Sequence, residues 1–201
     1  MERIGIYGGT FNPPHIGHEN ALRAFAAREE ICRILVIPDY LPPHKTMDVD
    51  VCAKDRFEMT RLAFLDIEKA TVSDMELCRE GRSYTVDTLT ALTAKDRELA
   101  LLVGTDMFMT LDSWYRADEI FRLSVIYCVR REQDADLTHR IADRAEQYRA
   151  RYGARIHFLD VDAVEISSSD LRALLLEDAQ SAAPFLNDRV VSYIKERGLY
   201  Q

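Results

Sequence analysis

Residues 3–37 read RIGIYGGTFNPPHIGHENALRAFAAREEICRILVI. Arg3–Tyr7 is a short apolar run of strand length. A Gly/Pro loop follows, and then a helical pattern from about Ile16 to Glu30 that places Leu22, Phe25 and Ala26 on one stripe. Arg33–Ile37 (RILVI) is a second apolar run. Two strands separated by a helix of this length form a βαβ unit, whose strands run parallel.

Outward from that unit the alternation continues. The pattern predicts a loop over Tyr40–Val51 and a helix over Ala53–Leu65 with Phe57, Leu62 and Leu65 inward. It then predicts a short strand at Ala70–Ser73, a helix at Thr85–Ala94 and a strand at Leu99–Val103. Short helices follow at Met107–Leu111 and Ala117–Phe121, then a strand at Ser124–Val129. A charged helix spans Leu137–Tyr152 and the last strand Arg155–Leu159. Helices near Ser169–Leu176 and Asp188–Arg197 close the chain. The expected class is α/β: a doubly wound, Rossmann-like, mainly parallel sheet with helices on both faces. One domain over 1–201 is expected, with a small C-terminal helical part from about 165.

The bulk composition agrees with a globular protein. The chain has 201 residues, 47% hydrophobic and 30% charged, and a net charge of −8, which argues against nucleic acid as the main partner. Cys32, Cys52, Cys78 and Cys128 contain no CxxC pair. Cys32 and Cys128 sit in apolar runs and read as core; reduced thiols and a cytoplasmic location are expected. No run approaches the roughly 18–20 apolar residues of a membrane span, and no leader segment is evident.

Parallel sheets of this kind bind ligands beyond the carboxyl ends of their strands, where the strand order reverses. Four loops are therefore informative. The first, Gly8-Gly9-Thr10-Phe11-Asn12-Pro13-Pro14-His15-Ile16-Gly17-His18, joins the first strand to a helix start. Unpaired N–H groups and the positive dipole end suit phosphate. His15 and His18 are three apart and can face each other across the first turn. Each imidazole can donate a hydrogen bond to a phosphoryl oxygen. A packed core histidine is the alternative for His18, which lies on the Leu22/Phe25 stripe. A zinc site lacks HExxH and a third ligand of suitable spacing.

The second loop carries Pro42-Pro43-His44-Lys45, where Lys45 is either a surface charge or a phosphate contact. In the third, Gly104-Thr105-Asp106, the carboxylate either caps a helix or accepts from ribose hydroxyls. The fourth, Ile166-Ser167-Ser168-Ser169-Asp170-Leu171-Arg172, opens a helix with serine caps. Arg172 follows three and four residues behind two of them, so its guanidinium can return to the helix end as part of an anion site. A capped helix with a surface arginine is the plainer reading.

Together these residues resemble a known family. GGTFNPPHIGH, with its HxGH core, and ISSSDLR resemble the signatures of the nucleotidyltransferase superfamily. Pro-Pro-His-Lys at 42–45, SYTVDTL at 83–89, Gly104-x-Asp106 through Trp114, and VSYIKERGLY at the C-terminus are similar to bacterial nicotinate-mononucleotide adenylyltransferases. The sequence departs from that pattern in three places. Asn12 stands where Asp is usual, Ser169 replaces Thr, and Arg130-Arg131-Glu132 stands where Arg-Pro-Gly is common.

The resemblance implies joining of ATP and nicotinate mononucleotide to give the dinucleotide and pyrophosphate, with Mg²⁺ carried on ATP and no metal ligands on the protein. It implies a catalytic set of His15, His18, Lys45 and Arg172. ATP would meet Gly8, Gly9, Thr10, Phe11, His15, His18, Gly104, Asp106, Ile166, Ser167, Ser168 and Arg172. The mononucleotide would meet Thr10, Lys45, Tyr84, Thr85 and Trp114. Core packing is the alternative for Trp114, but as the single Trp, in polar DSWYR, it reads more as a stacking surface. Another phosphomonoester acceptor, such as nicotinamide mononucleotide or phosphopantetheine, and a non-catalytic nucleotide sensor are the other readings. A synthetase fragment is disfavoured by the short, acidic chain. A homo-oligomer is compatible with the sequence.

Overall fold

The computed structural model describes residues 2–42, 51–130, 135–162, 164 and 166–201. Six strands form one sheet: β1 (Glu2–Gly9), β2 (Arg33–Pro38), β3 (Ala70–Val72), β4 (Arg97–Gly104), β5 (Ser124–Arg130) and β6 (Ile156–Asp160). Their order is β3-β2-β1-β4-β5-β6. Every pairing is parallel. The chain leaves β1 toward β2 on one side and returns to β4 on the other. The β1/β4 boundary is therefore the switch point, and sheets of this kind bind ligands beyond the carboxyl ends of the strands there.

The helices are α1 (Ile16–Ala26), α2 (Ala53–Ala63), α3 (Met75–Arg79), α4 (Thr85–Leu92), α5 (Thr105–Met109), α6 (Ala117–Leu123), α7 (Ala135–Tyr152), α8 (Ser168–Glu177), α9 (Ala179–Ala182) and α10 (Asp188–Arg197). Single 3₁₀ turns occupy Leu111–Ser113 and Ala183–Phe185.

Two cores cover the two faces of the sheet. Along β4, Leu99, Leu101 and Val103 point into one, and Ala100 and Leu102 into the other. This is the period-two alternation of a strand buried on both sides. The first core joins Leu22 and Phe25 of α1 to Ile34, Val36, Met59 and Tyr127, and takes in Leu171, Val190, Ile194 and Tyr200 from the C-terminal helices. The second joins Ile4 and Ile6 to Val86, Leu89, Phe108, Ile120 and Tyr148. Each such fully buried side chain contributes roughly 1.5–3 kcal/mol relative to exposure. A Cβ at Gly5 would stand 2.6 Å from the Phe25 ring, so the bare backbone there lets α1 press onto β1.

Several sequence expectations are corrected. The first helix ends at Ala26 instead of Glu30. The Lys69 ammonium donates to the carbonyls of Ala26 and Arg28 at 2.8 and 3.1 Å, and the chain turns there to bring Ile31 into the core. On α2 the buried positions are Asp55, Arg56, Met59, Thr60 and Ala63; Leu62 packs against the first core as expected, Phe57 is only half-buried, and Leu65 is 55% exposed and lies past the helix end. Cys32 is exposed at the edge of β2, while Cys128 is buried as expected. α3 and α9 were not anticipated, and α5 starts two residues earlier than the pattern implied. Most of the expected Tyr40–Val51 loop, including Lys45, lies outside the described residues, as does Arg131. Among the described residues no helix is long and apolar enough to cross a membrane.

Candidate active site

The loop after β1 is shaped by close packing. Phe11 adopts a left-handed backbone (φ 47°) and is buried, and the Asn12–Pro13 peptide is cis. A Cβ on Gly9 would meet the Phe11 ring at 2.9 Å, so the glycine makes room for the folded-over phenyl group. Gly8, by contrast, is exposed, with its nearest neighbour at 3.9 Å from a built Cβ. This loop delivers the chain to His15, the N-cap of α1.

The two histidines cap their own helix. His15 Nδ1 accepts from the Gly17 N–H at 3.2 Å, and His18 Nδ1 accepts from the His15 N–H at 3.2 Å. The rings lie 3.8 Å apart, and Phe11 meets His18 edge-on at 5.2 Å. With Nδ1 accepting from the backbone, the proton of each neutral ring resides on Nε2. The bonds that cap the helix thus also select the Nε2–H tautomer of each neutral ring. The core reading of His18 is half right: it is partly buried, with its ring against Phe11 and its Nδ1 bonded to the His15 N–H.

α8 docks its N-terminus on the same loop. Ser167 caps it, accepting from the Asp170 N–H at 3.1 Å, and Asp170 answers by accepting from the Ser167 N–H and hydroxyl at 3.0 and 2.6 Å. Those hydrogen bonds from Ser167 hold the Asp170 carboxyl below the usual aspartate range. The Ser168 hydroxyl donates to the Pro13 carbonyl at 2.9 Å. Arg172 Nη1 donates to the Asn12 carbonyl at 2.9 Å, and Nη2 to Ser169 Oγ at 3.2 Å. Two helix N-termini, each with positive dipole character, therefore meet beside an arginine and the histidine pair. Asn12 itself is buried, and its Oδ1 accepts from the Tyr200 phenol at 2.5 Å. Burial pushes the Tyr200 hydroxyl well above the usual tyrosine range, so it stays a donor.

The loop after β2 is fastened from both sides. Arg56, fully buried on α2, donates to the Thr10 carbonyl (2.9 Å), to Asp39 Oδ1 (3.0 Å) and to the Tyr40 carbonyl (3.0 Å). Asp39 Oδ2 accepts from the Thr10 hydroxyl at 2.8 Å. From the other side, Ser83 Oγ accepts from the Tyr40 N–H at 2.9 Å, and the Ser83 N–H donates to the Leu41 carbonyl at 2.9 Å. Ser83 also bonds the buried Glu76, which accepts from the Thr88 hydroxyl at 2.5 Å. Burial pushes the Glu76 carboxyl up, against the opposing pull of Thr88, Ser83 and Arg79.

The expected acceptor residues follow directly. Tyr84 is the N-cap position of α4 and Thr85 its first residue. The Tyr84 ring lies 4.7 Å from Tyr115, an exposed aromatic that sequence reading did not single out. Trp114 is partly buried and, like Tyr84, packs on the edge of the second core. At the end of β4, Gly104 opens α5 beside Val129, and a Cβ there would meet nothing within 4 Å. Asp106 is exposed and makes no capping bond. Ile166 packs against the first core. Arg130 is engaged with Asp160 at 2.8 and 3.0 Å and lies 4.6 Å over the Phe158 ring.

Thus Gly8–Phe11, His15, His18, Ser167, Ser168 and Arg172 come together at one sheet edge, with Gly104 on the adjoining strand. Ser83 ties the Tyr84–Thr85 turn to that edge through Tyr40. Sequence reading missed Arg56, Asp39, Ser83 and Tyr200 as parts of this assembly. Arg56 had a signal: it shares an i, i+3, i+4, i+7 stripe with Met59, Thr60 and Ala63. Among the described residues no group of three His, Cys, Asp or Glu side chains is arranged to hold a metal.

A parallel sheet whose switch point gathers a histidine pair, an arginine and two helix N-termini belongs to a recognisable class. The chain belongs to the cytidylyltransferase-like family, which it matches over residues 6–174, from β1 to just past Arg172. Relatives along its whole length carry a narrower name. The probable nicotinate-nucleotide adenylyltransferase of Gloeobacter violaceus is 37% identical over 202 residues, covering 99% of this chain and 96% of its own. That of Lachnoclostridium phytofermentans is 34% identical and covers 100% of both chains. The fold is shared with the Plasmodium falciparum nicotinic acid mononucleotide adenylyltransferase complexed with NaAD. That similarity has a TM-score of 0.78 at 18% identity, over 100% of this chain and 98% of that one.

Proposed function

We propose that this chain is the adenylyltransferase that joins ATP to nicotinate mononucleotide, releasing pyrophosphate and forming the dinucleotide nicotinate adenine dinucleotide, a step of NAD biosynthesis. One observation carries the reading. The histidine pair, two helix N-termini and Arg172 converge beyond β1, while the acceptor turn at Tyr84–Thr85 is fastened to the same edge. The whole-length relatives bear the name of this activity.

An oxygen of the mononucleotide's phosphate attacks the α-phosphorus of ATP. The new P–O bond forms as the bond to the β-phosphate oxygen breaks, and pyrophosphate leaves with that electron pair. A phosphomonoester has its second pKa near ~6, so the attacking group is already an anion at neutral pH. No strong base is required. The protein must instead place two anions in line and offset their repulsion.

In this reading the Nε2–H groups of His15 and His18 donate to the ATP phosphates. Arg172, Ser167, Ser168 and the α8 N-terminus receive the departing β/γ end, with Ile166 leading into it. Gly8, Gly9, Thr10 and Phe11 shape the phosphate loop, and Gly104 and Asp106 take the adenosine ribose. Lys45 supports the reacting phosphates, and Thr10, Tyr84, Thr85 and Trp114 form the acceptor side. Mg²⁺ enters with ATP as part of the substrate. The cytoplasm is the proposed compartment, in keeping with exposed free thiols at Cys32, Cys52 and Cys78.

Pyrophosphate release is the test, measured with ATP and a panel of nicotinate mononucleotide, nicotinamide mononucleotide and phosphopantetheine. Turnover should be greatest with the nicotinate acceptor. Release with none of them, despite ATP binding, would overturn the assignment in favour of a sensor.

A further inference from the structure

We infer that Arg56 is a positioning residue for the transfer, a buried strut that sets the spacing between the ATP-side loop after β1 and the acceptor-side loop after β2. The inference rests on the proposed reaction for its kinetic consequence, and on geometry for the strut itself.

The side chain has no solvent-exposed surface. Its fork reaches one atom group on the first loop, the Thr10 carbonyl, and two on the second, Asp39 Oδ1 and the Tyr40 carbonyl. The peptide units on both sides of Tyr40 are thereby fixed, because its N–H is already bonded to Ser83. Ser83 leads straight into Tyr84 and Thr85. A continuous polar chain thus runs from Thr10 through Arg56 and Tyr40 to the acceptor turn.

Stability alone is a poor reason to keep such a residue. A buried ion pair gives little net stability over apolar packing of similar volume. Here the guanidinium also leaves its Nε–H without a hydrogen-bond partner among the described residues. An orphaned buried donor calls for an explanation, and a planar fork that reaches three oxygens on two loops supplies one. In-line transfer is steeply sensitive to placement, with a misplacement near ~1 Å costing on the order of 10²-fold.

The test compares wild type with Arg56→Lys, which keeps the cation and loses the fork. kcat for pyrophosphate release should fall about 10- to 100-fold, with the dissociation constants for ATP and for nicotinate mononucleotide close to wild type. A kcat within a factor of about two of wild type in folded Arg56→Lys overturns the inference. So does a loss of ATP affinity as large as the loss of kcat, which would mark mere loosening of the phosphate loop. If Arg56→Lys does not fold, Asp39→Asn, which retains the side-chain shape but weakens the pair, is judged by the same criteria.

Amide hydrogen exchange separates this inference from the reaction assignment. Residues 8–14 and 39–42 should both exchange faster in the variant, with β4 and β5 unchanged. Inactivity of wild type with every acceptor defeats the proposed reaction, and the exchange result then decides the strut alone. Unchanged exchange in either loop overturns it.

Discussion

In the proposed reaction His15 and His18 each serve two ends with one ring. Nδ1 closes the first turn of α1, and the Nε2–H of the same ring is the proposed phosphate donor. Replacing His18 by alanine should lower kcat about 10²–10³-fold, the scale seen when one donor to a reacting phosphate or oxyanion is lost. It should also cost roughly 1 kcal/mol of stability through the lost cap. His18→Asn separates the two roles: its short side chain offers a capping acceptor but no Nε2 donor. Thermal stability should return while kcat stays low, and recovery of turnover in this variant would contradict the phosphate role. Arg172→Ala should chiefly raise the KM for ATP, because it removes a cation and frees the Asn12 carbonyl; an unchanged ATP KM would refute that placement. The histidines were legible because their loop follows β1 directly, and Arg172 because serines mark the start of its helix. Arg56 was not. Its stripe with Met59 and Ala63 marks it only as inward-facing, and its partners Asp39 and Thr10 lie 17 and 46 positions away, so the role could not be read.

Among the elements, α10 shows what local signals can and cannot specify. Its bounds, Asp188–Arg197, match the sequence expectation because both ends carry strong punctuation. Asn187 accepts from the Arg189 N–H, and Gly198 takes the left-handed conformation at the C-terminal end. Its docking was not readable, since the Tyr193 hydroxyl donates to Asp55 at 2.8 Å and Tyr200 reaches Asn12 across 188 positions. Asn12, the departure from the usual aspartate, thereby has a neutral partner matched to a neutral acceptor. Tyr200→Phe should leave that buried oxygen unsatisfied at a cost of about 1–3 kcal/mol. Denaturant unfolding would measure the loss; an unchanged midpoint would show the bond to be idle. α2 illustrates the converse. Its existence was plain, but its register followed the interior polar contacts of Arg56 more than its own apolar residues.

For the whole molecule, the alternation of strands and helices announced a parallel doubly wound sheet. The strand order could not be read, because it depends on which side of β1 the chain resumes after α4. The amino edge of the sheet is fastened differently from the carboxyl edge. Glu98 on β4 accepts from Arg3 of β1 at 2.6 Å and also bonds Arg155, just before β6. Burial pushes its carboxyl up, but the bonds and charges of Arg3 and Arg155 outweigh that and hold it below the ordinary 4.5. A folded pKa below the unfolded one contributes stability above pH 4.5 that is lost as pH falls through the folded value. Glu98→Gln should therefore be less stable than wild type at neutral pH, with the gap closing on acidification below that range. Thermal melts across pH would check this, and a gap independent of pH would refute it.

The bond from Tyr200 to Asn12 also has a meaning in time. A ribosome makes the loop after β1 well before Tyr200, and the buried Asn12 amide gains its phenol partner only when that residue, 188 positions later, has emerged. Until then β1, α1 and their loop are held without their last support. The loop proposed to meet the nucleotide is thus closed by a residue synthesised long after the loop itself.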